Sequence, residues 1–75
     1  MIEERARNTI KVARAERNLT QADLAALAGV TRKSVNAIET GNMVPSILLA
    51  LKIARALSVT VDTIFSLEQH RPVAH

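Results

Sequence analysis

Apolar residues return along this chain at helical intervals in several short blocks, and polar residues or glycine separate the blocks. Ile10, Ala13, Arg14 and Arg17 fall at i, i+3, i+4 and i+7, which predicts a first helix from about Arg5 to Arg17. Asn18 reads as a left-handed stop, with Leu19 folding back under it. Thr20-Gln21-Ala22-Asp23 is a capping box with Asp in place of the usual Glu: the Thr20 hydroxyl accepts from the Asp23 N–H, and the carboxylate sits favourably in the first turn. The second helix turns Leu24, Ala25 and Ala28 inward, stops at Gly29 and is closed by Val30. Thr31 caps a third helix from Arg32 to about Thr40, with Val35 and Ile38 inward, Glu39 bordering the same face and Gly41 ending it.

Pro45 and Ser46 open a fourth helix that continues through Leu57. Ile47, Ala50, Ile53, Ala54 and Leu57 suffice for its core stripe, which leaves Leu48, Leu49 and Leu51 as surplus apolar surface. Ser58 and Val59 turn, Thr60 caps, and Val61 to about Leu67 forms a short fifth helix. Residues 69–75 contain Pro72 and have no period, so they read as a frayed tail behind one domain over 1–68. The expected fold class is all-α.

Composition agrees. The chain is 48% hydrophobic and only 1% aromatic, so the core must be Leu, Ile, Val and Ala, which favours closely packed helices. With 75 residues, a single domain buries about 60–65% of its unfolded surface and has no stability to spare for irregular loops. There are no cysteines, which excludes disulfides and thiolate metal sites and fits a reducing compartment. Met1-Ile2-Glu3-Glu4-Arg5 is charged where a signal peptide is apolar, and the run Ile47 to Leu51 is too short to cross a bilayer. A cytoplasmic protein is expected, nucleoid-associated when bound to DNA.

The net charge of +3 is uneven: residues 5–41 hold seven basic and three acidic residues, whereas residues 42–75 hold three and two. A basic half points to a polyanion. Catalytic chemistry is not provided for. There is no Cys and no glycine-rich phosphate loop, and His70 and His75 stand in the tail without a carboxylate cluster. Asp23 and Asp62 read as first-turn helix charges. No enzymatic activity, metal, cofactor or small-molecule ligand is expected.

The informative spacing is helix, Gly29, three-residue turn, helix. Such a turn is too short for antiparallel helices, so the two must cross steeply. With Val35 inward, steps of about 100° keep Ile38 and Glu39 on the core side. Lys33, Ala37 and Thr40 fall opposite, Ser34 and Asn36 flank them, and Arg32 projects forward from the first turn. Arg32 and Lys33 are donors suited to guanine O6 and N7, and Asn36 matches adenine N6 and N7. Ala37 permits close approach and contact with a thymine methyl.

The stretch Leu19 to Gly41, L-T-Q-A-D-L-A-A-L-A-G-V-T-R-K-S-V-N-A-I-E-T-G, resembles the Cro/CI-type (lambda-repressor-like, XRE) helix-turn-helix family. The resemblance extends upstream through Ile10 and Arg14, and downstream over Pro45-Ser46 and Ile53 to Phe65. It implies a five-helix DNA-binding domain with the helix-turn-helix formed by helices 2 and 3. It implies that Gln21 bonds a phosphate and braces Arg32, that Thr40 and Asn42 lie near a second phosphate patch, and that Arg14 pairs with Glu39. Ser34 is assigned to the phosphates as well. Two positions depart from the pattern: Ser58 stands where the family usually has Gly, and Ala37 where many relatives carry a longer polar side chain.

One short helix reads few base pairs, so a useful operator requires two copies on a palindrome. Val61, Ile64, Phe65 and Leu67 are the candidate homodimer surface. The leading expectation is a sequence-specific transcriptional regulator, a repressor by occupancy of double-stranded DNA. An antitoxin or protein-interaction adaptor with secondary DNA binding is the alternative from another class, kept open by the surplus leucines. A restriction-modification controller is a variant of the first reading.

Overall fold

The structure is a computed structural model, and it describes residues 4–69. The elements run β1 (Glu4–Asn8), α1 (Ile10–Glu16), α2 (Gln21–Ala28), α3 (Arg32–Glu39), α4 (Ile47–Ala56), α5 (Val61–Ile64) and β2 (Phe65–Gln69). Ile10, Ala13, Leu24, Ala25, Ala28, Val35, Ile38, Ile53, Ala54, Leu57 and Ile64 form one buried cluster, and α2 packs on both α3 and α4. No helix among the described residues is long and apolar enough to cross a membrane.

Helices this short (seven, eight, eight and ten residues for α1 to α4) gain little from propensity and depend on their ends and their packing. The Thr20 capping box is complete: its hydroxyl accepts from Asp23 N–H and its own N–H donates to the Asp23 carboxylate, both at 3.0 Å. All four helices close on a left-handed residue, with the following N–H reaching back to the carbonyl five residues earlier. These bonds run from Leu19 to Arg14, Val30 to Ala25, Asn42 to Ala37 and Val59 to Ala54, at 2.8–3.0 Å. The left-handed residues are Asn18, Gly29, Gly41 and Ser58, with φ of 55°, 73°, 81° and 59°.

Several expectations need correction. The fold is not purely helical: β1 and β2 pair antiparallel, Asn8 opposite Phe65 and Ala6 opposite Leu67. The first helix therefore starts at Ile10 rather than Arg5. Asn8 and Thr9 interrupt it, and the Asn8 Oδ1 accepts from Ile10 N–H at 3.2 Å. The fifth helix ends at Ile64 rather than Leu67, because Phe65 turns extended, at φ −121° and ψ 138°. Gln69, expected in the tail, is the last residue of β2; residues 70–75, with both histidines, lie outside the described residues. Pro45 lies just before the Ser46 cap, and α4 itself begins at Ile47. In α4, Ile47 is 80% exposed, whereas Leu49, one turn before Ile53, packs against the core.

The helix stops give a paired prediction. Ser58 holds a left-handed conformation that costs an L-residue about 1–2 kcal/mol. Ser58→Gly should stabilise the protein by about 0.5–1 kcal/mol after the added freedom of the unfolded chain is subtracted. At Gly29 an added Cβ meets nothing within 4 Å, so Gly29→Ala should destabilise through backbone strain alone, by about 1–2 kcal/mol. Thermal unfolding of both variants checks this; a lower midpoint for Ser58→Gly would contradict it.

Candidate nucleic-acid interface

α3 is fixed on one side and open on the other. Val35 and Ile38 are buried, and the Glu39 side chain is 5% exposed. Thr31 caps the start, its Oγ1 accepting from Ser34 N–H at 3.0 Å. Arg32, Lys33 and Asn36 are exposed, while Ser34 and Ala37 are half-buried. The helix thus presents two cations and an amide outward while its other side is packed into the core.

Of the other assigned residues, Gln21 makes a different brace from the one expected. Gln21 does not reach Arg32; its Nε2 donates to Asn36 Oδ1 and to Glu39 Oε1, both at 3.1 Å. Both side-chain N–H groups are thereby engaged. Gln21 braces the middle and end of α3, and the donors left at this helix start are backbone N–H groups. Thr40 donates its hydroxyl to the Asn36 carbonyl at 2.9 Å and accepts from Asn42 Nδ2 at 3.1 Å. The two stand together at the end of α3, with one amide hydrogen of Asn42 uncommitted. Among the candidate dimer residues, Ile64 is buried in the core of the chain itself, and Val61 and Phe65 pack against that core. Leu67, by contrast, is 65% exposed.

The Arg14 guanidinium grips Glu39 through two bonds, Nε to Oε2 at 2.7 Å and Nη2 to Oε1 at 3.1 Å, and its Nη1 donates to the Leu19 carbonyl at 2.8 Å. Burial alone would raise the Glu39 carboxyl. The hydrogen bonds from Arg14 and Gln21, with the charges of Arg14 and Lys11, outweigh burial and hold it below the ordinary glutamate range. The bond to Glu39 conversely raises Arg14, against the opposing effect of burial.

Two tethers were missed in the sequence. Arg17 donates from Nε to the Leu57 carbonyl at 3.1 Å, tying α1 to the end of α4. Asn8 Nδ2 donates to the Ile38 carbonyl at 2.9 Å, tying the strand pair to the end of α3. The spacing marked Arg17 as inward, but a backbone carbonyl as partner leaves no sequence signal. The Asn8-Thr9 pair was a legible helix boundary.

Because the Glu39 pKa is lowered on folding, its contribution is present above the unfolded value of about 4.3 and is lost as pH falls through the folded value. The unfolding midpoint should fall as the pH drops below about 5, and Glu39→Gln should flatten that fall. At neutral pH, Glu39→Ala should cost about 3 kcal/mol by leaving the guanidinium without its partner. A Glu39→Ala variant melting within a degree or two of the parent would show that the pair contributes nothing.

Comparison with known proteins gives one consistent answer. The model of the helix-turn-helix family matches residues 10–64. YgzD of Bacillus subtilis, an uncharacterised HTH-type transcriptional regulator, is 46% identical over 63 residues, covering 84% of this chain and 96% of its own. An HTH-type transcriptional regulator of Methanocaldococcus jannaschii is 47% identical over 62 residues, covering 83% and 94%. Among solved structures, the restriction-modification controller protein C.AhdI of Aeromonas hydrophila superposes with a TM-score of 0.68 at 32% identity, over 71% of this chain and 80% of its own. A putative DNA-binding protein from Bacteroides fragilis superposes with a TM-score of 0.71 at 26% identity, over 81% and 98%. The motif residues, the capped helices and these likenesses agree: the chain belongs to the helix-turn-helix family of DNA-binding transcriptional regulators, as a short member of its Cro/CI, or XRE, type.

Proposed function

We propose that α2 and α3 are the two limbs of the helix-turn-helix, that α3 enters the major groove, and that the protein represses transcription as a homodimer on a palindromic operator. The observation that carries this reading is the outward face of α3. Arg32, Lys33 and Asn36 stand exposed there on a helix whose opposite side is locked by Val35, Ile38 and the Arg14–Glu39 pair. Base readout requires such rigidity, because bidentate bonds to base edges tolerate little misplacement. Arg32 and Lys33 supply donors for guanine, Asn36 reads a neighbouring pair, and Ala37 allows close approach. Phosphates are met by the backbone at the start of α2, by Ser34 and Asn42, and by Thr40 as the support of Asn42. A homodimer sets two such helices about 34 Å apart along one face of the duplex. Regulation by occupancy needs no cofactor and no catalytic step, and it takes place in the cytoplasm on the nucleoid.

The likeness to C.AhdI favours a second reading within the same mechanism, a controller of restriction-modification genes. An operator lying beside nuclease and methyltransferase genes would select it.

Selection of bound sites from random DNA, followed by salt titration, tests the proposal. A palindromic consensus is expected; binding without base preference would refute it. Lys33→Ala should relax preference at one position of each half-site, at a cost of about 1–3 kcal/mol for the preferred base. Gln21→Ala should relax the position read by Asn36 and leave the salt slope unchanged. Uniform weakening of all sites would instead assign the Gln21 side chain to a phosphate.

A further inference from the structure

We infer that Gln21 is a positioning residue for base readout: it turns the Asn36 amide so that Asn36 meets the DNA as a hydrogen-bond donor, which favours guanine and refuses cytosine at one position of each half-site. The inference rests on the reading of Asn36 as a base contact and deepens it.

An asparagine amide has two unlike ends, a carbonyl oxygen that accepts and an NH2 that gives two hydrogens. The ends are nearly equal in shape, so an unrestrained side chain presents either one to a base. A chain of bonds from the core removes that choice here. It starts at the Arg14 guanidinium, which has donors only. Arg14 holds both oxygens of the Glu39 carboxylate, at 2.7 and 3.1 Å. The same bonds keep Glu39 below the ordinary glutamate range, so at neutral pH it is ionised and only accepts. The Gln21 end beside Glu39 Oε1 must then be the NH2, which donates at 3.1 Å. The second hydrogen of that NH2 goes to Asn36, also at 3.1 Å, and only Oδ1 can receive it. Donors and acceptors thus alternate without a break from Arg14 to Asn36. The reverse arrangement would set the Gln21 carbonyl oxygen against the Glu39 carboxylate, and two acceptors in contact repel.

The consequence for DNA lies at the other end of the Asn36 amide. Oδ1 faces Gln21, and Nδ2 has no partner among the described residues. Asn36 is exposed and stands one turn beyond Arg32 and Lys33 on α3. The side chain therefore offers a base two donor hydrogens. In the major groove guanine presents two acceptors, O6 and N7, and thymine presents O4. Adenine presents N7 beside a donor, and cytosine presents only the N4 donor. Guanine is the best match and cytosine the worst. The two-bond contact with adenine that the residue type suggests needs Oδ1 turned to the base edge, and Gln21 draws it the other way. A buried ion pair in the core thereby sets a base preference through two neutral side chains.

Two measurements on the full chain test this separately. Without DNA, side-chain amide exchange followed by nuclear magnetic resonance reads the polarity. The Gln21 Nε2 hydrogens should exchange with water more slowly than those of Asn36 Nδ2, and Gln21→Met should leave the Asn36 rate unchanged. Slow Asn36 hydrogens that Gln21→Met releases would show the reverse polarity and overturn the inference, whatever the protein does on DNA. Site selection from random DNA reads the consequence. One position of each half-site should disfavour cytosine against guanine by about tenfold. Gln21→Met should lose that discrimination and keep the position read by Lys33, whereas a merely structural role would blur both. Asn36→Asp keeps an acceptor for Gln21 and turns a second acceptor to the base, so the same position should move to cytosine. Bases are compared within each variant, because the added charge weakens all sites alike. An Asn36→Asp variant with every preference unchanged would remove Asn36 from the bases and overturn the inference together with that reading. A position that moves in Asn36→Asp and is untouched by Gln21→Met would keep Asn36 as a base contact and overturn the role of Gln21.

Discussion

Three helices of this domain meet at one carboxylate. Glu39, at the end of α3, accepts two bonds from Arg14 of α1 and one from Gln21 of α2. A buried ion pair adds little net stability, because desolvation offsets most of the attraction. Its value here is directional. A core of Leu, Ile, Val and Ala is nonspecific about rotation, and slipping α3 by one residue would leave a guanidinium and a carboxylate buried apart. The pair therefore fixes which side of α3 faces inward, and so which residues face out. Arg14 also reaches the Leu19 carbonyl, so the same side chain supports the start of the next helix.

The rest of the fold follows from making short helices stop cleanly. Each of α1 to α4 ends on a left-handed residue with the next N–H folded back onto the helix. Each stop returns an apolar or half-buried residue to the core: Leu19, Val30 and Val59 pack there directly, and Met43 does so one residue beyond its stop. The device saves loop length, which matters to a chain with so little surface to bury. Its backbone strain is concentrated at Asn18 and Ser58, where side chains occupy a conformation that glycine takes more cheaply.

The polar side chains near α3 divide their labour. Gln21 is spent on Asn36 and Glu39, and Thr40 on the helix end. Arg32 and Lys33 remain exposed. Support and recognition thus belong to different residues of one short segment. A polar residue near the interface cannot be assigned to DNA from its type alone, because its hydrogen-bonding capacity is finite and the protein itself uses much of it.

Local rules were enough to read the helical core. The capping box at Thr20, the stop at Gly29, the cap at Thr31 and the inward Val35 and Ile38 each depend on neighbours within a few residues, and so are written in adjacent letters. The pairing of Arg14 with Glu39 was legible only through the family resemblance. Where the sequence was misread, the deciding partner lay far along the chain. Residues 4–8 repeat no apolar pattern of their own and become a strand only because residues 65–69 run beside them. Leu67 was counted on a helix, yet it stands in β2 opposite Ala6 with its side chain exposed. Ile47 matched the core stripe of α4 but is exposed, while Leu49 packs inward. Periodicity gives the direction of a side chain around its own helix, and only tertiary packing decides whether anything stands there to bury it.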